Sequence, residues 1–84
     1  MRKSITSKEY RAVTAELVRL RKQAGLTQLE LADRLGREQS FVWRIEKGER
    51  RLDVLEFFWV CEQLGVNAPQ VYRKLCKHFS TADG

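Results

Sequence analysis

Long apolar runs are missing from this 84-residue chain: none approaches the roughly 18 residues a membrane span requires, and no leader with a cleavage site opens it. Neither a membrane partner nor export is expected, and the expected location is cytoplasmic. Cysteine occurs twice and histidine once. Cys61 and Cys76 sit in apolar helical contexts without a Cys or His partner at ligand spacing, which argues against a disulfide framework or a zinc site and implies two buried, reduced thiols. His78 lies among basic residues near the C-terminus and reads as a solvated helix residue. There is no phosphate loop and no metal spacing, and the one histidine is far from any expected cleft. The chain is therefore not expected to be an enzyme, and no cofactor or small-molecule ligand is called for. Strand-like alternation, internal repeats and low-complexity tracts are equally absent, which leaves an all-α chain.

What the sequence has in excess is positive charge, unevenly placed. Of the formal net +5, residues 1–51 hold thirteen Lys and Arg against seven acids, whereas residues 52–84 hold three against four. One part of the molecule suits a polyanion and another does not. The length allows one domain of modest stability, about 4 to 12 kcal/mol by per-residue scaling.

Helix signals divide the chain into five. Thr6, Ser7, Lys8 and Glu9 form a capping-box pattern, followed by Tyr10, Val13, Leu17, Leu20 and Ala24 at intervals of three and four up to Gly25. Thr27 to Glu30 is a second capping box, opening a two-turn helix that closes at Gly36. The third helix starts with Glu38 as an imperfect cap and stops at Gly48. Asp53 to Glu56 opens a fourth that ends near Leu64 and Gly65, and Asn67 caps a fifth with Pro69 in its first turn and Val71, Leu75 and Phe79 as its inner stripe. Two short helices joined through a glycine make a helix-turn-helix candidate. The expected organisation is a flexible basic arm over residues 1–6, one domain over residues 7–79 and a disordered tail over residues 80–84.

From Leu17 to Tyr72 these pieces resemble the Cro and phage-repressor type helix-turn-helix proteins, the Xre family, with the lambda-repressor-like fold. The resemblance rests on Leu20-Arg21, Gly25-Leu26-Thr27-Gln28, Leu31-Ala32-Asp33-Arg34-Leu35-Gly36, Gln39-Ser40-Phe41-Val42, Arg44-Ile45-Glu46-Lys47-Gly48-Glu49-Arg50-Arg51 and Leu64-Gly65-Val66, in that order and spacing. It implies a compact helical domain and a transcriptional regulator that binds double-stranded DNA; pairing as a homodimer on a palindromic operator is expected from the apolar surplus of the fourth helix described below. In that picture the third helix enters the major groove.

A helical wheel supports the placement. Phe41, Val42 and Ile45 share one side of the third helix, while Gln39, Ser40, Trp43 and Lys47 share the other, with Arg44 at its edge. By the resemblance Gln39 and Ser40 read bases, with Arg44 within reach; a Gln amide matches adenine and a guanidinium matches guanine. Trp43 either touches a thymine methyl or sugar edge, or folds back over a neighbouring turn. The resemblance also gives Gln28 a phosphate at a helix start and pairs Arg21 with Glu46, a pair that is either structural alone or shared with a phosphate. Thr27, Lys47, Arg50 and Arg51 complete the expected phosphate contacts. Arg37 stands where the family commonly has an apolar residue, and Glu38 replaces a Ser or Thr cap; Glu38 either repels a phosphate or accepts from a cytosine.

The fourth helix is apolar beyond one stripe. Val54, Phe57, Phe58, Cys61 and Leu64 suffice for the core, which leaves Leu55 and Trp59 on another side. Leu55, Trp59 and Val66 are expected at a dimer interface; cover by the first or fifth helix is the other reading. Repression is the expected outcome of binding, by blocking polymerase, although promoter geometry sets the sign. The rival function is a protein-interaction module, such as an antitoxin component, on the same fold.

Overall fold

In the computed structural model, which describes residues 7–79, five helices follow one another: α1 (Lys8–Gln23), α2 (Gln28–Leu35), α3 (Gln39–Glu46), α4 (Val54–Leu64) and α5 (Ala68–Cys76). The arm expected over residues 1–6, the tail over residues 80–84 and the Thr6 hydroxyl lie outside the described residues. No strand occurs among those described, and no helix among them is long and apolar enough to cross a membrane.

Each start has its own chemistry. Ser7, not Thr6, caps α1, its hydroxyl accepting from the Tyr10 amide. Thr27 with Glu30, and Asp53 with Glu56, form reciprocal capping boxes on α2 and α4, and Asn67 accepts from the Gln70 amide at the start of α5. Each side-chain cap is typically worth about 1 kcal/mol. Of the five, only α3 starts without a side-chain cap: Glu38 stands at its N-cap and makes no cap hydrogen bond.

The α2–α3 turn depends on Gly36, whose φ of 67° is left-handed. Its amide donates to Asp33 O and the following amide, Arg37 N, reaches back to Ala32 O at 2.9 Å, a Schellman closure. The residue after such a glycine ordinarily packs against the helix it closes. Here it is Arg37.

Leu17 and Leu20 of α1, Leu31 and Ala32 of α2, Phe41, Val42 and Ile45 of α3, Val60, Cys61 and Leu64 of α4, and Val71 and Leu75 of α5 form one core. Burying side chains of the Leu or Val class contributes about 1.5–3 kcal/mol each. Ala32 is 0% exposed, next to the α2–α3 turn, so a longer side chain there would have to displace packed neighbours.

Three expectations are corrected. Helix α4 is turned so that Phe57, Val60, Cys61 and Leu64 face inward, while Val54 and Phe58, expected in the core, are exposed. Cys76 is exposed; only Cys61 is a buried thiol, and burial pushes its pKa up to about 11. Ala24 is an exposed C-cap and not part of the inner stripe of α1.

Candidate nucleic-acid interface

Helix α3 shows two chemistries on two sides. Phe41, Val42 and Ile45 are buried against the core, and Gln39, Ser40, Trp43, Arg44 and Lys47 are exposed. Trp43 is 41% exposed and the Lys47 ammonium lies 5.2 Å from its ring centroid, so the indole stands in the open beside a cation. Beside the first turn of α3, a cavity of about 400 Å³ is lined by Arg37, Glu38, Ser40, Phe41, Arg44 and Arg50, among others.

The back of this surface is fixed by an ion pair. Arg21 donates from Nε and Nη2 to the two oxygens of Glu46 at 2.6 and 3.1 Å, and from Nη1 to Leu26 O at 2.8 Å. Gln28 Nε2 donates to the same carboxylate at 2.9 Å. The start of α2, the end of α1 and the last turn of α3 therefore converge on Glu46. The two charged side chains are 10% and 8% exposed. A guanidinium so covered, already serving three acceptors, is not open to a phosphate, so Arg21 is left out of the phosphate contacts proposed below. Gln28 is half-buried and keeps one amide N–H beyond its bond to Glu46, while Thr27 is exposed with its hydroxyl accepting from the Glu30 amide.

A second charged cluster was not legible in the sequence. Glu56, the capping-box carboxylate of α4, accepts from Arg50 at 2.9 and 2.8 Å and from the Asp53 amide at 3.1 Å, and Arg37 Nη1 lies 3.8 Å from it. The hydrogen bond from Arg50 holds the Glu56 carboxyl below its ordinary range against the opposing effect of burial, and the same pairing raises Arg50. Both guanidinium carbons lie over the Phe41 ring, Arg37 at 3.8 Å and Arg50 at 4.8 Å from its centroid. This gives the arginine after Gly36 a structural partner: its guanidinium lies over Phe41 at cation–π distance. The only sequence signal is the four-residue spacing of Arg37 and Phe41. Arg50, expected to grip the backbone, is instead engaged with Glu56 and Arg51 O, whereas the Arg51 side chain is exposed.

Farther away, Val54 (85% exposed), Leu55, Phe58 and Trp59 form one exposed apolar face of α4. Val66, grouped with them in the sequence reading, is half-buried and packs on the core. No group of three metal-ligating side chains occurs among the described residues.

Comparison with known proteins fits this geometry. A family model described as a helix-turn-helix domain matches residues 12–83. A solved structure described as an XRE-family like protein from Pseudomonas syringae pv. tomato str. DC3000 is 44% identical, covers 86% of this chain and 88% of its own, and superposes with a TM-score of 0.80. A mutant of the restriction-modification controller protein C.Esp1396I is 22% identical over 86% of this chain and 96% of its own (TM-score 0.77). The clp gene regulator ClgR from Corynebacterium glutamicum is 21% identical over 89% and 97% (TM-score 0.75). These last two share the fold. No curated protein matches the sequence.

Proposed function

The chain belongs to the Xre-type helix-turn-helix family of DNA-binding transcriptional regulators, and on that premise we propose that it reads a palindromic operator as a homodimer, acts as a repressor and works in the cytoplasm. Its fold and family are those of regulators, not of enzymes. The observation that carries the reading is the outer side of α3: Gln39, Ser40, Trp43, Arg44 and Lys47 are exposed together, directly opposite the residues that anchor the helix.

In this reading α3 lies in the major groove, with Gln39 and Ser40 at base edges and Arg44 on a guanine where the sequence offers one. Trp43 brings its apolar surface to a thymine methyl or sugar edge, and Lys47 beside it supplies charge to the backbone. Gln28 and Thr27, at the N-terminus of α2, hold a phosphate where free amides and the helix dipole favour an anion. Arg51 adds a phosphate contact from the loop before α4.

The apolar face of α4 supports the dimer. Four exposed side chains of that size present roughly 400–500 Å², beyond the scatter of single surface residues and about half of what one partner contributes to a standard interface. Leu55 and Trp59 are its proposed centre, extended by Val54 and Phe58. Val66, proposed with them from sequence, contributes through the small part of it left open. Two-fold pairing sets two copies of α3 about one DNA turn apart, roughly 34 Å. A toxin or other partner on the same face is the competing outcome.

Binding measured across salt concentration, together with a footprint on duplexes enriched from a random pool, tests the reading. A specific dimer gives a steep fall of log K with log salt and a two-fold symmetric footprint. Weak, sequence-blind binding would favour the interaction module.

A further inference from the structure

We propose that Arg37, delivered from the α2–α3 turn, is a further phosphate-contacting residue of the DNA interface, with Phe41 and Glu56 as the positioning groups behind it. The proposal rests on the DNA-binding reading above and deepens it. Its starting point is the difference between two arginines that share one carboxylate. Arg50 makes two short bonds to Glu56 and a third to Arg51 O, so its charge is matched and its donors are occupied. Arg37 sits 3.8 Å from Glu56, beyond hydrogen-bond range, and no hydrogen bond among the described residues takes up its guanidinium N–H groups.

Its position is nevertheless fixed. The Arg37 backbone amide is tied to Ala32 O by the Schellman closure, and its head lies over the Phe41 ring, 3.8 Å from the centroid. A guanidinium held against a ring loses less freedom when it binds an oxyanion than one on a free arm. The side chain is still 43% exposed, and it lines the cavity that also contains Ser40 and Arg44 of the proposed reading face. Arg37 and Arg44 line it with the single acid Glu38, and Arg50, which also lines it, has its charge matched by Glu56. Donors that are available, oriented and beside the first turn of α3 suit the sugar-phosphate backbone flanking the bases that Gln39 and Ser40 would read. This assigns to Arg37 the backbone contact that its position before α3 allows, and leaves Arg50 as the brace.

The test is the salt dependence of binding, measured on a duplex enriched from a random pool by the wild-type protein and on a scrambled duplex. Arg37→Gln should make the slope of log K against log salt shallower by about 0.9, the loss of one phosphate contact, on both duplexes, at a temperature where both proteins are folded. Arg37→Lys should keep the slope and weaken binding, because lysine carries the charge without the planar guanidinium. Arg73→Gln, which removes an equal charge from exposed α5, should leave the slope alone. A wild-type slope in Arg37→Gln, an equal loss in Arg73→Gln, or a full loss in Arg37→Lys would each overturn the assignment. Wild-type protein that binds no duplex would instead overturn the DNA reading, and this inference with it.

Discussion

Arg21 and Glu46, twenty-five residues apart, meet in a two-point ion pair that joins the end of α1 to the last turn of α3. With side chains 10% and 8% exposed, neither charge has water to fall back on. Removing one partner strands the other, at a cost of about 3–5 kcal/mol, while replacing both with apolar residues is much cheaper. Glu46→Ala should therefore take a large share of the stability estimated for a domain of this size, and the double variant Arg21→Met/Glu46→Leu should recover most of it. Denaturant titration of the two variants checks this; equal losses in both would mean that the pair itself, and not the cost of a stranded charge, carries the stability.

Acid should loosen the other cluster. The Glu56 carboxyl is held below its ordinary value of 4.5, first by the hydrogen bond from Arg50, and that of Glu16 is lowered in the same direction, first by its bond from Arg19. A carboxyl whose folded pKa lies below its unfolded one contributes stability above the unfolded value, and the contribution is lost as pH falls through the folded value. Thermal melting should thus be flat near neutrality and fall as pH drops below about 4.5. Glu56→Gln should lower melting at neutral pH and flatten the acid dependence; an unchanged acid profile would remove Glu56 from the account.

Ala32 ties the fold to the interface. It is fully buried next to the α2–α3 turn, so Ala32→Leu has to displace packed neighbours. Overpacking of this kind costs about 1–3 kcal/mol. The angle of α3 should suffer more than the fold, so DNA affinity should drop at temperatures where circular dichroism still reports a folded protein. Loss of binding and folding in parallel would mean the site is not specially sensitive there.

Local chemistry made most of this fold readable. The Thr27–Glu30 and Asp53–Glu56 boxes, Asn67 and the turn at Gly36 act within a few residues of themselves, so their sequence spacing carries the information. Helix α4 shows where that stops. With apolar residues all round, hydrophobic periodicity cannot set its rotation, and the inward set is displaced by roughly 45° from the stripe expected at 100° per residue. A charged residue decides the phase: Glu56 is buried at the edge of the packed side because it both caps the helix and accepts from Arg50. The Arg37–Phe41–Arg50 contact was hidden for the same reason, since its third member comes from another part of the chain.

The rotation of α4 sharpens the prediction for self-association. Trp59 now lies in a face with Val54, Leu55 and Phe58, and contributes little to the monomer's core. Trp59→Glu should turn a dimer into a monomer in sedimentation with little loss of helicity, and should weaken binding to a two-fold operator far more than to a half-site. A dimer that survives the substitution would place the interface elsewhere.

The most direct measurement of the central claim is a nuclear magnetic resonance titration of isotope-labelled protein with duplex DNA. Exposed indoles on different surfaces, Trp43 on α3 and Trp59 on α4, provide internal reporters. The account predicts large shifts at the Trp43 indole and at the amides of Gln39, Ser40, Arg44 and Lys47, with the Trp59 indole unmoved once the protein is dimeric. Shifts concentrated on α4 or α5, with α3 silent at saturating DNA, would show that the outer side of α3 is not what meets the duplex.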